Sequence, residues 1–140
     1  MGLRYHPKIG TIVRVDYTTG FIEPEMVKRR LGLVVSKEMK GRNGLCTVVP
    51  LSTTAPTPPM PFHCQIDPDL EIPDPWGNRP RWVKADLVAG LSFARLDLLT
   101  LGKGRDGKRV YQTETISEND LRRVRICLLA ALGLTAKGQV

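Results

Sequence analysis

Two runs form the centre of the predicted fold: Arg30-Leu-Gly-Leu-Val-Val-Ser36 and, after a short basic turn, Leu45-Cys-Thr-Val-Val-Pro-Leu-Ser-Thr-Thr54. Both runs are rich in β-branched residues, and the turn between them contains glycines, so we predict a hairpin of two core strands at about 31–36 and 45–51. Pro50 interrupts the second run. A proline at that point predicts a strand end or a bulge.

Polar residues stand where these two runs begin and end. Arg30 begins the first run, and Ser52, Thr53 and Thr54 follow the apolar part of the second. Charged and hydroxyl side chains are uncommon at the ends of a fully buried strand. We therefore predict a pocket that a fixed cation and a row of hydroxyls both face, which is an arrangement that suits a phosphate.

Length and composition predict one domain over residues 1–140. With 140 residues, 41% of them hydrophobic, the chain can bury a hydrophobic core large enough to fold without disulfide bonds. The three cysteines are widely and unequally spaced, and we expect reduced structural thiols with no metal site and no cofactor. No run of about 18 apolar residues and no signal-peptide core occurs, so we expect a cytoplasmic protein without a membrane segment.

The formal net charge of +7 is informative about binding partners and not about the fold. Taken alone, this charge is equally consistent with a surface that binds nucleic acid and with an ordinary basic surface. Four acidic residues crowd into one proline-rich loop, which leaves the remaining surface more basic than the total suggests: Asp67, Asp69, Glu71 and Asp74. That remaining surface could hold a polyanion.

The segments around the central hairpin predict shorter strands separated by long loops. Alternation of apolar and polar residues predicts a strand over 11–17, and the loop over 18–29 that follows is of a length typical of mobile or functional loops. Proline-rich loops occupy 55–61 and 67–81, the first as an extended spacer and the second as an acidic loop. A short strand at 62–66 is predicted between them.

The later segments contain charged residues whose roles stay open. Residues 82–87 predict a strand whose alternation places Lys84 and Asp86 on one face, either as an acid and base pair or, as we favour, as a surface ion pair. The run 91–99 is ambiguous between a strand and a short helix. Residues 102–109 predict a hairpin turn, whose four cations are solvated by default but could touch phosphate.

One helix is predicted near the carboxyl end, at about 117–132. Ser117 can cap it, apolar residues recur at helical spacing along it, and Gly133 ends it. We expect the apolar stripe of this helix to pack on the sheet. For the arginines on its outer side, we favour contact with solvent over contact with RNA or a partner. The last seven residues are expected to be loose.

The aromatic and histidine residues have a structural and a functional interpretation each. We favour packing over base stacking for Trp76 and Trp82, and a structural or exposed position over a catalytic one for His6 and His63. The residues together predict a mainly β (α+β) protein, a small antiparallel β-barrel with one C-terminal α-helix packed on it.

Several motifs, in their order along the chain, resemble the MazF/PemK family of toxins from bacterial type II toxin–antitoxin systems. The resemblance runs over about residues 5–54 and 82–97. It implies an SH3-like or CcdB-like β-barrel and a homodimer. The motifs that carry it are Tyr5-x-Pro7-x-x-Gly10-x-Ile-x-x-Val-Asp16-Tyr17, Arg30-x-x-x-Val34-Val35-Ser36, Leu45-Cys-x-x-Val49-Pro50-x-Ser52-Thr53 and Lys84-Ala-Asp86.

The resemblance also implies an activity. Family members are endoribonucleases that cut single-stranded RNA, in particular mRNA, at short sequences without a metal ion, and a small antitoxin protein neutralises them. Asp86 would be the base that activates a 2′-hydroxyl, and Arg30 would be the principal phosphate clamp. The catalytic set implied is Arg30, Ser52, Thr53, Lys84, Asp86 and Glu25, with RNA contacts from Lys28, Arg29, Thr54 and Arg95.

Two other functions remain open at this point. The chain could be an RNA-binding module that keeps the fold but cleaves weakly or not at all, or a toxin directed at a protein, as the related CcdB fold is. RNA affinity that falls steeply with salt, without a product, would indicate the first. A stable complex with a protein target and indifference to RNA would indicate the second.

Overall fold

Nine β-strands and one α-helix occupy the part of the chain that the computed structural model describes, residues 2–134. Residues 135–140, on which most of the expectation of a loose tail falls, lie outside the described residues. Two single 3₁₀ turns are formed by Ala85–Leu87 and Phe93–Arg95. The elements are β1 (Ile12–Asp16), β2 (Arg29–Val34), β3 (Leu45–Ser52), β4 (His63–Ile66), β5 (Arg81–Lys84), β6 (Ala89–Ser92), β7 (Leu96–Leu98), β8 (Thr100–Lys103), β9 (Arg109–Tyr111) and α1 (Glu118–Ala131).

The central hairpin of β2 and β3 is confirmed and lies in the middle of a seven-stranded antiparallel sheet. The strand order is β4-β5-β3-β2-β1-β7, and β6 pairs with β3 beside this path. Strand β2 begins earlier than predicted, because Arg29 and Arg30 pair with Asp16 and Val15 of β1. The cation predicted to precede the strand therefore lies within it. Strands β8 and β9 form a separate two-stranded hairpin, which confirms the turn predicted there.

Pro50 does not end β3, so the strand end or bulge predicted there is wrong. The Val35 N–H donates to the Thr47 carbonyl at 3.0 Å, which shows that alternate residues of β3 exchange hydrogen bonds with β2 and that Pro50 faces the other edge. On that edge β6 pairs as far as Val48, and β5 begins at Leu51. The N–H that Pro50 lacks would lie where β3 passes from pairing with β6 to pairing with β5, so no hydrogen bond between strands is lost.

The sheet buries an apolar cluster on each face, as alternation along its strands requires. We call the cluster under α1 the helix-side core and the other the opposite core. The helix contributes Leu121, Val124 and Cys127 to the helix-side core, which confirms its predicted packing. From the sheet, the helix-side core takes Ile12, Leu31, Leu33, Val49, Leu51 and Val83, and the opposite core takes Val13, Val15, Val34, Cys46 and Val48.

Helix α1 begins and ends as its sequence predicts. The Asp120 N–H donates to the Ser117 hydroxyl oxygen at 3.1 Å, and Gly133 follows the helix with a φ of 75°. The fold is therefore mainly antiparallel β with one C-terminal helix. Within residues 2–134, no helix combines the length and the apolar character needed to cross a membrane.

The strand predicted over 82–87 is only half correct. Strand β5 ends at Lys84, and the next three residues form a 3₁₀ turn that buries Ala85 completely. The Ala85 N–H donates to the Phe62 carbonyl at 3.2 Å, and the Val88 N–H closes the turn on the Ala85 carbonyl. Two-residue alternation therefore stops before Asp86, and the prediction that Lys84 and Asp86 share a sheet face is wrong.

The ambiguous run 91–99 contains both structures. Strands β6 and β7 flank the turn Phe93–Arg95, which the Ser92 hydroxyl caps by accepting from the Ala94 N–H at 3.1 Å. A single helix or a single strand over this run would have been wrong, because Leu91 and Leu96 both need to reach the opposite core.

Candidate active site

The β2, β3 and β5 strands bring three of the predicted site residues to one sheet face. Gly32 lies opposite Pro50, so the same register places Arg30 opposite Ser52, and Ser52 pairs with Trp82. Lys84 follows Trp82 by two residues and shares its face. Since neighbouring strands lie about 4.8 Å apart, Arg30 and Trp82 are separated by about 10 Å across the sheet. Arg30, Ser52 and Lys84 thus border one patch of the sheet.

Arg30 is half-buried and has an unused donor. Its Nε is buried and has no hydrogen-bond partner among the residues that the structure describes. Leaving a buried donor unpaired costs about 1–3 kcal/mol, and more when the group is charged. An anionic oxygen bound beside Arg30 would supply an acceptor at the position where the sequence predicts a phosphate clamp.

A small cavity of about 160 Å³ opens beside Arg30 and Thr53. Pro75 and Trp76 of the second proline-rich loop form its other wall, together with Arg79 and Arg81. Arg30 and Thr53 both line this cavity, and the loop supplies further cations that the sequence-based prediction did not include.

Arg81 supports the cavity wall. It is 3% exposed, and its guanidinium donates to the carbonyl oxygens of Trp76, Gly77 and Arg79 at 2.9, 3.0 and 3.3 Å. Burial, with a smaller contribution from the Arg79 cation, lowers the pKa of Arg81 below its usual range. With Arg81 engaged in holding the loop, Arg30 and Arg79 are the cavity cations left to meet a ligand.

The three hydroxyls after β3 are not equivalent. Ser52 is 2% exposed, and its oxygen accepts from the Thr54 N–H at 3.1 Å, which bends the chain at the end of the strand. Thr53 and Thr54 are exposed. Thr53 is therefore the hydroxyl that the cavity presents, and Ser52 supports the bend that places it there.

The predicted base, Asp86, lies beside His63, a residue that sequence reasoning did not assign to the site. The His63 Nε2 is 3.8 Å from the Asp86 Oδ1, which is ion-pair range rather than a hydrogen bond. The Met60 N–H donates to the His63 Nδ1 at 3.1 Å, so in the neutral ring the proton lies on Nε2, toward Asp86. No local motif indicates this contact, because the pairing of β4 with β5 creates it by placing His63 opposite Lys84.

The Glu25 side chain is used within its own loop. Its Oε1 accepts from the Ile22 N–H at 3.0 Å, and the Glu25 N–H donates to the Ile22 carbonyl at 2.9 Å. Lys28 ends this loop, and Arg29 begins β2 with its Nε 3.8 Å from an oxygen of Asp16. Glu25 shapes the loop that leads to Arg30.

Arg95 secures the start of the same loop. Its guanidinium donates to the Thr19 carbonyl at 2.7 Å and to the Asp16 carbonyl at 3.3 Å, and it lies 4.7 Å from the centre of the Phe21 ring. Two backbone carbonyls and an aromatic face satisfy most of this cation. It shapes the approach to the site from the 3₁₀ turn before β7.

The second proline-rich loop is fastened on both sides. The Asn78 side chain accepts from the Ile72 N–H at 3.0 Å and donates to the Leu70 carbonyl at 2.6 Å. The Gln112 side chain donates to the Glu71 carbonyl at 2.6 Å. These bonds hold Trp76 at the cavity while it packs against the helix-side core, as we favoured for this residue.

The three cysteines are free thiols. Burial raises the pKa of Cys46 to about 11. A hydrogen bond between Cys64 and Cys127 raises the pKa of Cys64 above its usual value and lowers that of Cys127. Within residues 2–134, no three His, Cys, Asp or Glu side chains form a group that could hold a metal ion.

Sequence comparisons match most of the chain to one family. Residues 8–132 match the family described as PemK-like, MazF-like toxin of type II toxin–antitoxin system. An uncharacterized protein of Haemophilus influenzae is 33% identical over 108 residues, covering 69% of this chain and 73% of that protein. The YifN protein of Escherichia coli K12 is 33% identical over 118 residues, covering 69% of this chain and 76% of that protein.

Solved structures with the same fold include MazF from Deinococcus radiodurans, with a TM-score of 0.61 and 24% identity over 93% of this chain and 99% of that one. A mycobacterial endoribonuclease in complex with its cognate antitoxin has a TM-score of 0.54 and 21% identity over 91% of this chain and 96% of that one. At these identities the structural likeness concerns the fold. The family match over residues 8–132 decides the assignment: this chain belongs to the PemK-like, MazF-like toxins of type II toxin–antitoxin systems.

Proposed function

We propose that this protein is a toxin that cleaves single-stranded RNA, including mRNA, at specific sequences, without a metal ion, by attack of a 2′-hydroxyl. The observation that carries the proposal is the alignment of Arg30, Ser52 and Lys84 on one sheet face, next to the pair His63 and Asp86. Two cations, a carboxylate and hydroxyls at one strand edge are the groups that such a reaction uses.

The reaction assigns one role to each group. The Asp86 carboxylate takes the proton of the 2′-hydroxyl, and that oxygen forms a bond to the adjacent phosphorus while the bond from phosphorus to the 5′-oxygen breaks. The Lys84 ammonium gives a proton to the departing 5′-oxygen. Arg30, with Thr53 beside it, stabilises the additional negative charge on the phosphate. The products are a 2′,3′-cyclic phosphate and a 5′-hydroxyl end.

His63 acts on this reaction through Asp86. Its Nε2–H lies toward the carboxylate, and its Nδ1 is held by the backbone of Met60, so the ring restrains one side of Asp86. Because the side chain of His63 is only 9% exposed and that of Asp86 is 42% exposed, the free oxygen of the carboxylate is the part left to solvent and substrate. His63 is a positioning residue in this scheme.

The partners follow from the family. Two similar structures, the mycobacterial endoribonuclease with its cognate antitoxin and the MazE–MazF pair of Deinococcus radiodurans, hold a toxin together with its antitoxin. They support a small antitoxin partner for this protein and a toxin homodimer. The net charge of +7 favours an antitoxin with an acidic segment. An mRNA substrate would place the protein in the cytoplasm.

The test is cleavage of a long single-stranded RNA in the presence of EDTA. Wild-type protein should produce discrete ends that carry a 2′,3′-cyclic phosphate, and Arg30→Ala and Asp86→Asn should produce none. Arg122→Ala, which removes an exposed arginine on the outer face of α1, is the matched control and should cut like the wild type.

Two outcomes would contradict the proposal. Equal cleavage of RNA by the wild type and by Arg30→Ala would assign the activity to a contaminant. RNA that stays intact yet comigrates with the protein would replace the nuclease with a binding module of the same fold.

A further inference from the structure

A second and larger cavity, of about 620 Å³, adjoins the candidate active site. Pro75 and Trp76 line both cavities, so the fastened second loop forms a common wall between them. The larger cavity lies between the amino-terminal segment, β1 and the β8–β9 hairpin. None of the predicted catalytic residues lines it.

Aromatic rings line this cavity in an exposed position. Tyr5 is 54% exposed and Tyr111 is 44% exposed, so both rings offer a face to a ligand in the cavity. Arg109 precedes Tyr111 by two residues in β9, lines the same cavity and shares the strand face with it. Exposed rings beside arginines are typical of surfaces on which the bases of a single strand stack.

The hairpin beside the cavity carries unbalanced positive charge. Lys103, Arg105, Lys108 and Arg109 are exposed, and none of the four makes an ion pair with any residue of the described part of the chain. Asp106 is the one acidic residue between β8 and β9, and it accepts from the backbone N–H of Lys108. By contrast, Arg14 in the cavity is paired with Asp97 at 2.8 Å.

We propose that the larger cavity and the β8–β9 hairpin bind the nucleotides of the single-stranded RNA that flank the cleaved phosphate. An unstacked base would lie on Tyr111, and the phosphates beside it would bind the hairpin cations. The strand would pass from the Arg30 cavity to this site around Trp76. The inference deepens the proposed function and rests on it for the identity of the ligand.

The first experiment measures the charge contribution with a strand that cannot be cut. The probe is a fluorescently labelled 2′-O-methyl RNA, which has no 2′-hydroxyl nucleophile, and the dissociation constant is measured over a range of salt concentrations. A substitution that removes one cation from a phosphate should reduce the slope of log K against log salt by about 0.7, so Arg105→Ala/Lys108→Ala should reduce it by about 1.4.

A matched double variant controls for net charge. Arg122→Ala/Arg125→Ala removes the same number of exposed cations from the outer face of α1 and should leave the slope unchanged. A slope that falls equally in both double variants, or in neither, would overturn the inference.

The second experiment measures stacking on the hairpin. Tyr111→Ala should weaken binding of the same probe by about 5- to 100-fold, and Tyr111→Phe, which keeps the ring, should bind like the wild type. Unchanged melting temperatures would show that both variants are folded. Equal affinity for Tyr111→Ala and the wild type would overturn the assignment.

The remaining outcomes separate this inference from the nuclease proposal. Hairpin-dependent binding of the 2′-O-methyl strand, together with natural RNA that stays intact in EDTA, would support the binding site and contradict the cleavage reaction. If the wild type cleaves RNA and the hairpin variants bind and cut equally well, the cleavage reaction is supported and the binding site is contradicted. Hairpin-dependent binding of polyglutamate but not of RNA would overturn the inference in favour of a protein-docking surface.

Discussion

At the scale of single residues, Arg30 is the side chain on which the proposed chemistry depends most. Arg30→Lys keeps the charge but removes Nε and the planar fork, so we expect turnover to fall by about 100-fold or more, and further in Arg30→Ala. The measurement is the single-turnover rate on a strand that contains one cleavage site.

A stability measurement accompanies that rate. Since Nε of Arg30 has no partner among the described residues, neither substitution should lower the melting temperature. A Lys variant as fast as the wild type would contradict the role of the fork.

His63 offers a sharper test of positioning. In His63→Ala we expect kcat to fall by about tenfold with KM unchanged, less than the loss of at least about 100-fold typical of a proton-transfer group. His63→Gln, which keeps a donor near Asp86, should recover part of the rate. A change in KM alone, or no recovery with Gln, would indicate that the ring only packs against Phe62, whose centre lies 4.6 Å away.

Tyr17 tests the energetics of the opposite core. The ring is 1% exposed, and its hydroxyl has no hydrogen-bond partner within residues 2–134. Tyr17→Phe should therefore leave the free energy of unfolding unchanged or raise it by about 1 kcal/mol. The measurement is urea denaturation, and a decrease of more than about 1 kcal/mol would reveal a partner for the hydroxyl.

The same residue predicts a pH dependence. Burial raises the pKa of Tyr17 above its usual value near 10. Because the pKa of Tyr17 is raised in the folded state, this side chain leaves the free energy of unfolding unchanged below about pH 10. Above that pH the unfolded chain releases the proton first, so the free energy of unfolding falls as the pH rises further. Tyr17→Phe should remove that alkaline loss, which thermal melts at high pH would detect.

At the scale of elements, Gly32 determines how closely the central strands approach. A Cβ there would lie 2.5 Å from Cγ1 of Val48 and 2.7 Å from Cγ2 of Val15, inside the opposite core. Gly32→Ala should therefore destabilise the protein by about 3 kcal/mol, the upper part of the range for overpacking.

A matched glycine controls for backbone effects. Gly90 in β6 has nothing within 4 Å of its Cβ position, so Gly90→Ala should change stability by less than about 0.5 kcal/mol. Chemical denaturation compares the two variants. Equal stabilities would show that the strands move apart without cost.

At the scale of the whole molecule, the second proline-rich loop connects the two cavities. Asn78→Ala would leave the Ile72 N–H and the Leu70 carbonyl unpaired, at a cost of about 1–3 kcal/mol. We expect faster amide exchange over 67–80 and weaker RNA binding, with the cleavage step less affected.

The control for the loop is Asn43→Ala, an exposed asparagine in the turn between β2 and β3. Amide exchange measured by mass spectrometry separates the effects on the two segments. Protection of 67–80 that is equal in both variants would show that Asn78 does not hold the loop.

The strands of the central hairpin and the capped C-terminal helix could be predicted from the amino-acid sequence, and the order of motifs pointed to the family by resemblance. The hairpin and the helix depend on neighbouring residues, on β-branched runs, a serine cap and a terminal glycine, and local physics is enough to predict them. The sequence also indicated the pocket shared by Arg30 and Thr53, because the ends of two paired strands must meet.

The side chains that face one another across strands could be identified only from the three-dimensional fold. Register places His63 opposite Lys84 and beside Asp86, and the burial of Ala85 ends the alternation that local sequence predicts. The wall that Trp76 makes between two cavities depends on hydrogen bonds from distant residues such as Gln112. Such contacts join positions far apart in the chain, and sequence patterns carry no information about the register that brings them together.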